Sequence, residues 1–383
     1  LKPRVLHLLD SFRQGGSESQ ALKLACAMKD RGRFEVDLAC LDRSGPLLTK
    51  IPAEVRPQVP EFKLDSFYDL NMLRQTMKFA KLLKDRNIQI VHTHDFYTNI
   101  FGIAGAALAG VPVRVASRRE ASKRAAPKRM AERLAYRQSS AVIANCEQVR
   151  SELIAEGVDP RKLVTVYNGV EIGELRSEAR TEPPGQPGRE LTVCIVANLR
   201  PVKDHATLLR AAKRVLQQCP ETQFVLAGEG PLEDGLRLMA AELGIYQAVH
   251  FIGRCEAVPA LLEQSSVCVL SSKSEGFPNA VLEYMAAGKP VVSTRVGGVN
   301  EALTEGDNGF LVDPGDDVQL SARITWLLRN RDNALEMGQR GRAIAIEKFA
   351  ARVQLDRVES LYSRLLTGLP AVPEGLQRHT IEA

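Results

Sequence analysis

Short, mostly apolar runs alternate with longer segments of helical spacing along this chain of 383 residues. In the first half the runs are Val5 to Leu9, Phe34 to Leu41, Ile88 to Val91, Val111 to Ser117, Ala141 to Ala144 and Leu163 to Val166. In the second they are Leu191 to Ala197, Gln223 to Ala227, a run ending at Phe251-Ile-Gly253-Arg254, and Val267 to Leu270. Helical spacing fills the intervals, as in Glu18 to Met28, Leu70 to Asp85, Glu147 to Glu156 and Ala206 to Leu216. Strands that are apolar on both faces belong to parallel sheets covered by helices. The fold class is therefore α/β, with a Rossmann-like domain in each half. The length suffices for two sizeable cores. The stretch from Arg176 to Arg189, rich in Pro, Gly and charge, reads as the linker between them.

A hydrophobic content of 44% and a charged content of 25% fit a globular protein. The seven cysteines are single and form no C-x-x-C pair, which predicts buried thiols in a reducing compartment. No stretch reads as a signal peptide. The uncharged run Phe96 to Val113 is rich in Gly and Ala and ends at Pro112, so it predicts a buried helix and a turn, not a membrane span. Localisation is expected to be cytoplasmic.

The stretch Ser274 to Gly288, SEGFPNAVLEYMAAG, concentrates the chemistry. It lies between the run Val267 to Leu270 and a helical run from Ala280 to Ala287. Pro278 suits the first turn of that helix, where no backbone N–H is required. A helix N-terminus behind a parallel strand presents amides to a phosphate. Glu275 falls in the loop and Glu283 in the helix, among Val281, Leu282, Tyr284 and Met285. Two glutamates eight apart are common surface charges, yet a charge in so apolar a helix should have a partner.

Other strand ends carry further candidates. Gly15-Gly16 opens the first helix, as a plain tight turn or as a close approach to a ligand. His92-Thr-His94-Asp95 ends the third run. A metal there is unexpected, because no third or fourth ligand stands nearby in sequence. Asn198-Leu-Arg200-Pro-Val-Lys203-Asp204 is a basic loop ahead of an amphipathic helix, suited to a diphosphate. Gly228-Glu-Gly-Pro231 lacks the third glycine of G-x-G-x-x-G, since position 233 is Glu, which argues against a dinucleotide enzyme.

The Glu275 and Glu283 spacing, with Gly-Phe-Pro-Asn after the first, resembles the signature of GT4-family retaining nucleotide-sugar glycosyltransferases. So do Lys289-Pro-Val-Val-Ser-Thr, Gly297-Gly298-Val-Asn-Glu301 and Asn308-Gly309-Phe-Leu-Val. The resemblance covers most of the chain. It implies a GT-B fold, with two Rossmann-like domains whose parallel sheets face a central cleft. An N-terminal acceptor domain would span 1–175, joined by helix 352–368, which crosses back onto it. The linker would be 176–190, the donor domain 191–351 and the tail 369–383. Glu283 would bind the ribose and Glu275 the donor sugar. Gly276, Phe277, Pro278 and Asn279 would hold sugar and phosphates. Gly228, Gly253 and Arg254 would lie by the nucleotide, Gly15 and Gly16 by its phosphates, and His94 by the reacting carbon. Lys203 matches the family lysine, while Asn198 stands at the family arginine and leaves Arg200 as the replacement. No Asp-x-Asp motif is present, so no essential metal or cofactor is expected. The donor would be UDP- or GDP-linked. A nucleotide-sugar epimerase, a phosphorylase or a non-catalytic binding protein could share this architecture.

Between Arg114 and Arg137 nine cations face only Glu120 and Glu132. Arg118, Arg119, Lys128 and Arg129 lie in this stretch. It reads either as an ordinary solvated face or as a site for an anionic membrane surface or a phosphate-bearing acceptor. A glycan or lipid-linked acceptor for cell-envelope polysaccharide, with the enzyme peripheral to the membrane, follows from the second reading. Nucleic acid is not expected, for want of aromatic interleaving or a recognised motif.

Overall fold

The computed structural model describes residues 2–13, 15–51, 56–64, 66, 69–120, 125–172 and 191–372. The expected linker 176–190, the tail from 373, and Lys123 and Arg124 lie outside the described residues. The chain divides into two compact units, one of residues 1–168 with 354–383, the other of residues 169–353.

The first unit holds β1 (Arg4–Leu9), α1 (Gly16–Arg31), β2 (Glu35–Cys40), α2 (Leu70–Asp85), β3 (Ile90–Thr93), α3 (Phe96–Ala109), β4 (Val113–Arg118), α4 (Ala126–Gln138), β5 (Ala141–Ala144), α5 (Glu147–Ala155) and β6 (Leu163–Thr165). Its strands pair in parallel in the order β2-β1-β3-β4-β5-β6. The order reverses between β1 and β3, where His7 pairs in register with His92. The Gly- and Ala-rich run is the buried-face helix α3, started by a capping box of Asp95 and Thr98 and stopped by Gly110.

The second unit holds β7 (Leu191–Val196), α6 (His205–Leu216), β8 (Thr222–Ala227), α7 (Glu233–Glu242), β9 (Val249–Gly253), α8 (Val258–Gln264), β10 (Val267–Leu270), α9 (Asn279–Ala286), β11 (Val291–Thr294), α10 (Val299–Ala302), β12 (Phe310–Val312), α11 (Asp317–Arg329) and α12 (Arg331–Lys348). Its parallel sheet runs β12-β11-β10-β7-β8-β9, so the order reverses between β7 and β10. Open α/β sheets bind ligands at the carboxyl ends of the strands on either side of such a reversal. The last helix, α13 (Ala351–Leu366), belongs to the first unit from Gln354 onward. Its Leu355, Val358, Leu361 and Tyr362 join the core of Val5, Ile90, Val113 and Val115.

Candidate active site

In the second unit the loops after β7 and β10 meet. Lys203 Nζ lies 2.5 Å from Glu275 Oε1, and Ser272 Oγ donates to the same oxygen at 2.6 Å. Ser271 Oγ donates to Lys203 O at 2.9 Å, and Lys273 N to Val202 O at 2.8 Å. Thr294 Oγ1, from β11, donates to Ser272 O at 2.7 Å. Two strand ends and a neighbour thus fix one cation and one carboxylate against each other.

The next strand braces the same loop. Gly297 has φ +52°, and a β-carbon there would drive into the carbonyls of Glu275 and Gly276. Gly298 N donates to Gly276 O at 2.7 Å. Only glycine meets both demands. Pro278 takes the N-cap of α9, one residue outside the first turn expected for it, and Asn279 opens the helix. Phe277 turns inward, buried with its ring centroid 5.4 Å from that of Phe349, so it anchors the turn from below. Tyr284 is buried and its hydroxyl accepts from Val196 N at 2.7 Å, which pins α9 under β7. Glu275, Gly276, Asn279 and Glu283 are half-buried.

Gly228 is explained by the chain itself. Its missing side chain admits the carbonyl of Ala197, and the neighbouring Glu229 O accepts from Leu199 N at 2.9 Å. The Gly-Glu-Gly-Pro turn therefore braces the loop that carries Arg200 and Lys203. Gly253 ends β9 in the left-handed region, with open space where a side chain would be. Arg200, Arg254 and Asn198 are exposed. Asp204 adopts φ +46°, and its carboxylate accepts from Thr207 Oγ1 at 2.8 Å.

In the first unit the reversal between β1 and β3 gathers three histidines. His94 Nε2 lies 2.9 Å from His7 Nδ1, and the two rings stack. His92 lies 2.6 Å from the Tyr362 hydroxyl through Nδ1 and 2.7 Å from the Ser117 hydroxyl through Nε2. All three are buried. Burial, reinforced by Arg119, pulls His7 down to about 3. Burial and the neighbouring rings, with Arg119, hold His94 well below the ordinary imidazole range, and His92 follows from burial, His7 and Arg119. Burial raises Asp95 to about 7, with Asp10 adding repulsion.

His7 is the third nitrogen that the local sequence around His92 and His94 lacks, and the three offer ligand atoms within 4.8 Å of one another. The expectation that no third ligand stands near His92 and His94 holds only along the sequence, because the third ring comes from another strand. The trio still does not fit a cation: both nitrogens of His92 are taken by hydroxyls and Arg119 adds positive charge beside it. Gly15 is the N-cap of α1 with extended backbone, and Gly16, exposed, begins the helix.

The basic stretch separates into unlike parts. Arg118 is buried, with Nη1 and Nη2 on Glu156 at 2.5 and 3.1 Å. It therefore faces neither membrane nor acceptor, a correction to its expected place. Arg119 is partly buried, and its Nη1 donates to Asn168 Oδ1 at 2.8 Å. Lys128 and Arg129 are exposed on α4, with Lys128 Nζ 5.9 Å from the centroid of Phe96.

Sequence reasoning missed His7 and Ser272, and it named Gly297 and Asp204 only as members of motifs, without their structural roles. His7 had a visible sign, a polar ring inside the apolar run Val5 to Leu9. Asp204 and Ser272 meet Thr207 and Glu275 three residues on, while Gly297 is defined by the distant carbonyls of Glu275 and Gly276.

The family model for glycosyl transferases group 1 matches residues 177–344, and that for Glycosyltransferase Family 4 matches residues 14–174. The UDP-Gal:alpha-D-GlcNAc-diphosphoundecaprenol alpha-1,3-galactosyltransferase of Escherichia coli is 26% identical over 349 residues, covering 86% of this chain and 89% of its own. The N-acetyl-alpha-D-glucosaminyl L-malate synthase of Bacillus anthracis is 26% identical over 309 residues, 78% of this chain and 80% of its own. Among solved structures, HepE from Anabaena in complex with UDP superposes with a TM-score of 0.81 at 21% identity, covering 94% of this chain and 99% of that one. Two parallel six-stranded sheets of GT-B type, with both halves matched in order by the models of one enzyme class, place the chain among the GT4-type glycosyltransferases.

Proposed function

We propose that this enzyme transfers a sugar from a UDP- or GDP-linked donor to a hydroxyl of a glycan or lipid-linked acceptor, retaining the anomeric configuration and needing no metal. The contact between Lys203 and Glu275 at the strand-order reversal carries this reading. It sets a cation beside a carboxylate at the foot of a helix N-terminus, the pair that a diphosphate leaving a hydroxylated ring requires.

In the proposed reaction the bond between the anomeric carbon and the phosphate oxygen breaks, and its electron pair leaves with the nucleoside diphosphate. The acceptor oxygen bonds the same face of that carbon, and its proton goes to the departing phosphate. Lys203, Arg200 and the α9 N-terminus take up the growing negative charge. Such preorganised charges contribute a few kcal/mol each, on the order of a hundredfold in rate. Glu275 and Asn279 hold sugar hydroxyls, with the backbone of Gly276 to Pro278, while Glu283 holds the ribose. Gly253 and Arg254 border the base. On the acceptor-side unit, Gly15 and Gly16 would serve as phosphate contacts, and His94, held neutral by burial, acts as a hydrogen-bonding group instead of a charged acid.

The relative from Escherichia coli carries a lipid diphosphate acceptor in its name, which supports a lipid-linked acceptor here. Among the described residues no helix is long and apolar enough to cross a membrane. Helix α4 offers a surface contact instead. Its exposed face centres on Met130 and Leu134, 67% and 60% exposed, beside Arg129, Arg133 and Arg137. Apolar residues ringed by cations suit an anionic lipid surface.

The test is release of nucleoside diphosphate from a panel of UDP- and GDP-sugars with EDTA present, with the product's anomeric bond read by NMR. Turnover in EDTA with retained configuration is expected. An inverted bond or strict metal dependence would overturn the mechanism. Binding without turnover, or an altered sugar still attached to its nucleotide, would favour a binding protein or an epimerase.

A further inference from the structure

Arg118 and Arg119 are neighbours in sequence in opposite circumstances. Arg118 has Glu156 in two-pronged contact, and Glu152 lies 3.9 Å away. Arg119 has Asn168 alone, through Nη1. Its Nε is shut off from solvent with no hydrogen-bond partner. Among the described residues no carboxylate lies within ion-pair distance of it.

The groups around Arg119 do not supply the missing charge. His7, His92 and His94 are neutral, and Tyr362 is a phenol. Asp95, the carboxyl that acts on it, caps α3, where Oδ1 accepts from Thr98 N at 2.9 Å. Its elevated pKa leaves it part-protonated near neutrality. A guanidinium partly withdrawn from water without a counterion is costly, and such a cost is retained where a ligand removes it. The arginine fork matches the oxygens of a phosphate, and the residue sits just past the carboxyl end of β4, beside His94 at the end of β3.

We infer that Arg119, oriented by Asn168, is the anchor for a phosphate group on the acceptor. This rests on the transferase reading above and names its acceptor class: a phosphorylated or diphosphate-linked molecule. The same phosphate chemistry could come from the donor's diphosphate, so the experiment has one arm for each source.

Full-length protein is saturated with UDP or GDP, whichever raises the melting temperature more, and inorganic pyrophosphate is then titrated by calorimetry. The wild type, Arg119→Met and Arg119→Gln are compared, and each is also titrated with nucleotide alone. We expect pyrophosphate to bind the nucleotide-loaded wild type and to bind both variants at least tenfold more weakly. Nucleotide affinity should hold within twofold. The ligand-free variants should melt no lower than wild type, because an uncompensated charge has gone. Weaker nucleotide binding in the variants would overturn the acceptor assignment in favour of the donor's diphosphate. Equal pyrophosphate binding in all three proteins, or none in wild type, would overturn the site. So would a clear fall in melting temperature in both variants, which would mark Arg119 as structural. Should no nucleotide bind at all, the donor reading fails, and pyrophosphate added to nucleotide-free protein still tests Arg119.

Discussion

Lys203 Nζ and Glu275 Oε1 stand 2.5 Å apart across the reversal of strand order in the second unit, one on the loop after β7 and the other on the loop after β10. The side chains keep 25% and 12% of their exposure, so the pair remains within reach of a ligand.

Lys203→Ala should lower nucleoside diphosphate release at least a hundredfold, because a cation at the leaving group acts on the transition state. Stability should change by about 1 kcal/mol or less, as for other partly exposed ion pairs. Turnover assays beside denaturant melts check both. Unchanged turnover would remove Lys203 from the chemistry.

Gly297→Ala should damage both stability and activity. The left-handed backbone costs roughly 1–2 kcal/mol for a non-glycine residue. In addition, the new β-carbon would press on Gly276 O at 2.6 Å and on the Glu275 carbonyl. Displacing that loop should cut turnover at least tenfold. Gly306→Ala is the control, since Gly306 has φ +77° but open space around it. It should lose the backbone term alone and keep activity.

Acid should destabilise the protein before any carboxylate of ordinary pKa titrates. Burial holds His7 at about 3 and His205 at about 4, with His92 and His94 also well down. Unfolded histidines take up protons near 6.5. Stability from these groups is complete above that pH and is lost as pH falls below it, because the unfolded chain binds more protons. Asp95 works in the opposite sense: its folded pKa of about 7 makes its contribution decline as pH rises from about 4 to 7. Four histidines outweigh it, so the melting temperature should be lower at pH 5 than at pH 7, with a shallower slope in His7→Asn. A flat profile would place these rings in water.

Met130→Asp with Leu134→Asp should leave the fold intact, as both side chains lie on the exposed face of α4. Sedimentation with vesicles containing anionic lipid should fall at least tenfold, and vesicles of neutral lipid should bind neither form. Equal sedimentation of wild type and variant would move membrane contact elsewhere.

The architecture was legible because parallel strands covered on both faces leave mostly apolar runs, ten of which stand out in the sequence even where Glu35, Asp37 or Arg114 interrupts them. Helix α7 was not, since its acidic first turn, Glu233 and Asp234, follows a Gly-Pro turn that hid its start. The turn after β10 was legible as a motif because its residues are contiguous. The histidine cluster was not, because His7 meets His94 only through the pairing of β1 with β3, 87 residues apart. The adjacent arginines looked alike because Glu156, the partner that separates them, arrives at the C-cap of α5.

Tyr362 bonds His92, and Leu355, Val358 and Leu361 fill the core beneath β1 and β3, yet all four come from α13, after the whole second unit has been passed in sequence. The sheet of the first unit therefore leaves the ribosome without one of its covering helices and waits for it until the whole second unit has been synthesised. Its apolar face stays open to chaperones or to misassociation through the interval in which the later unit is made.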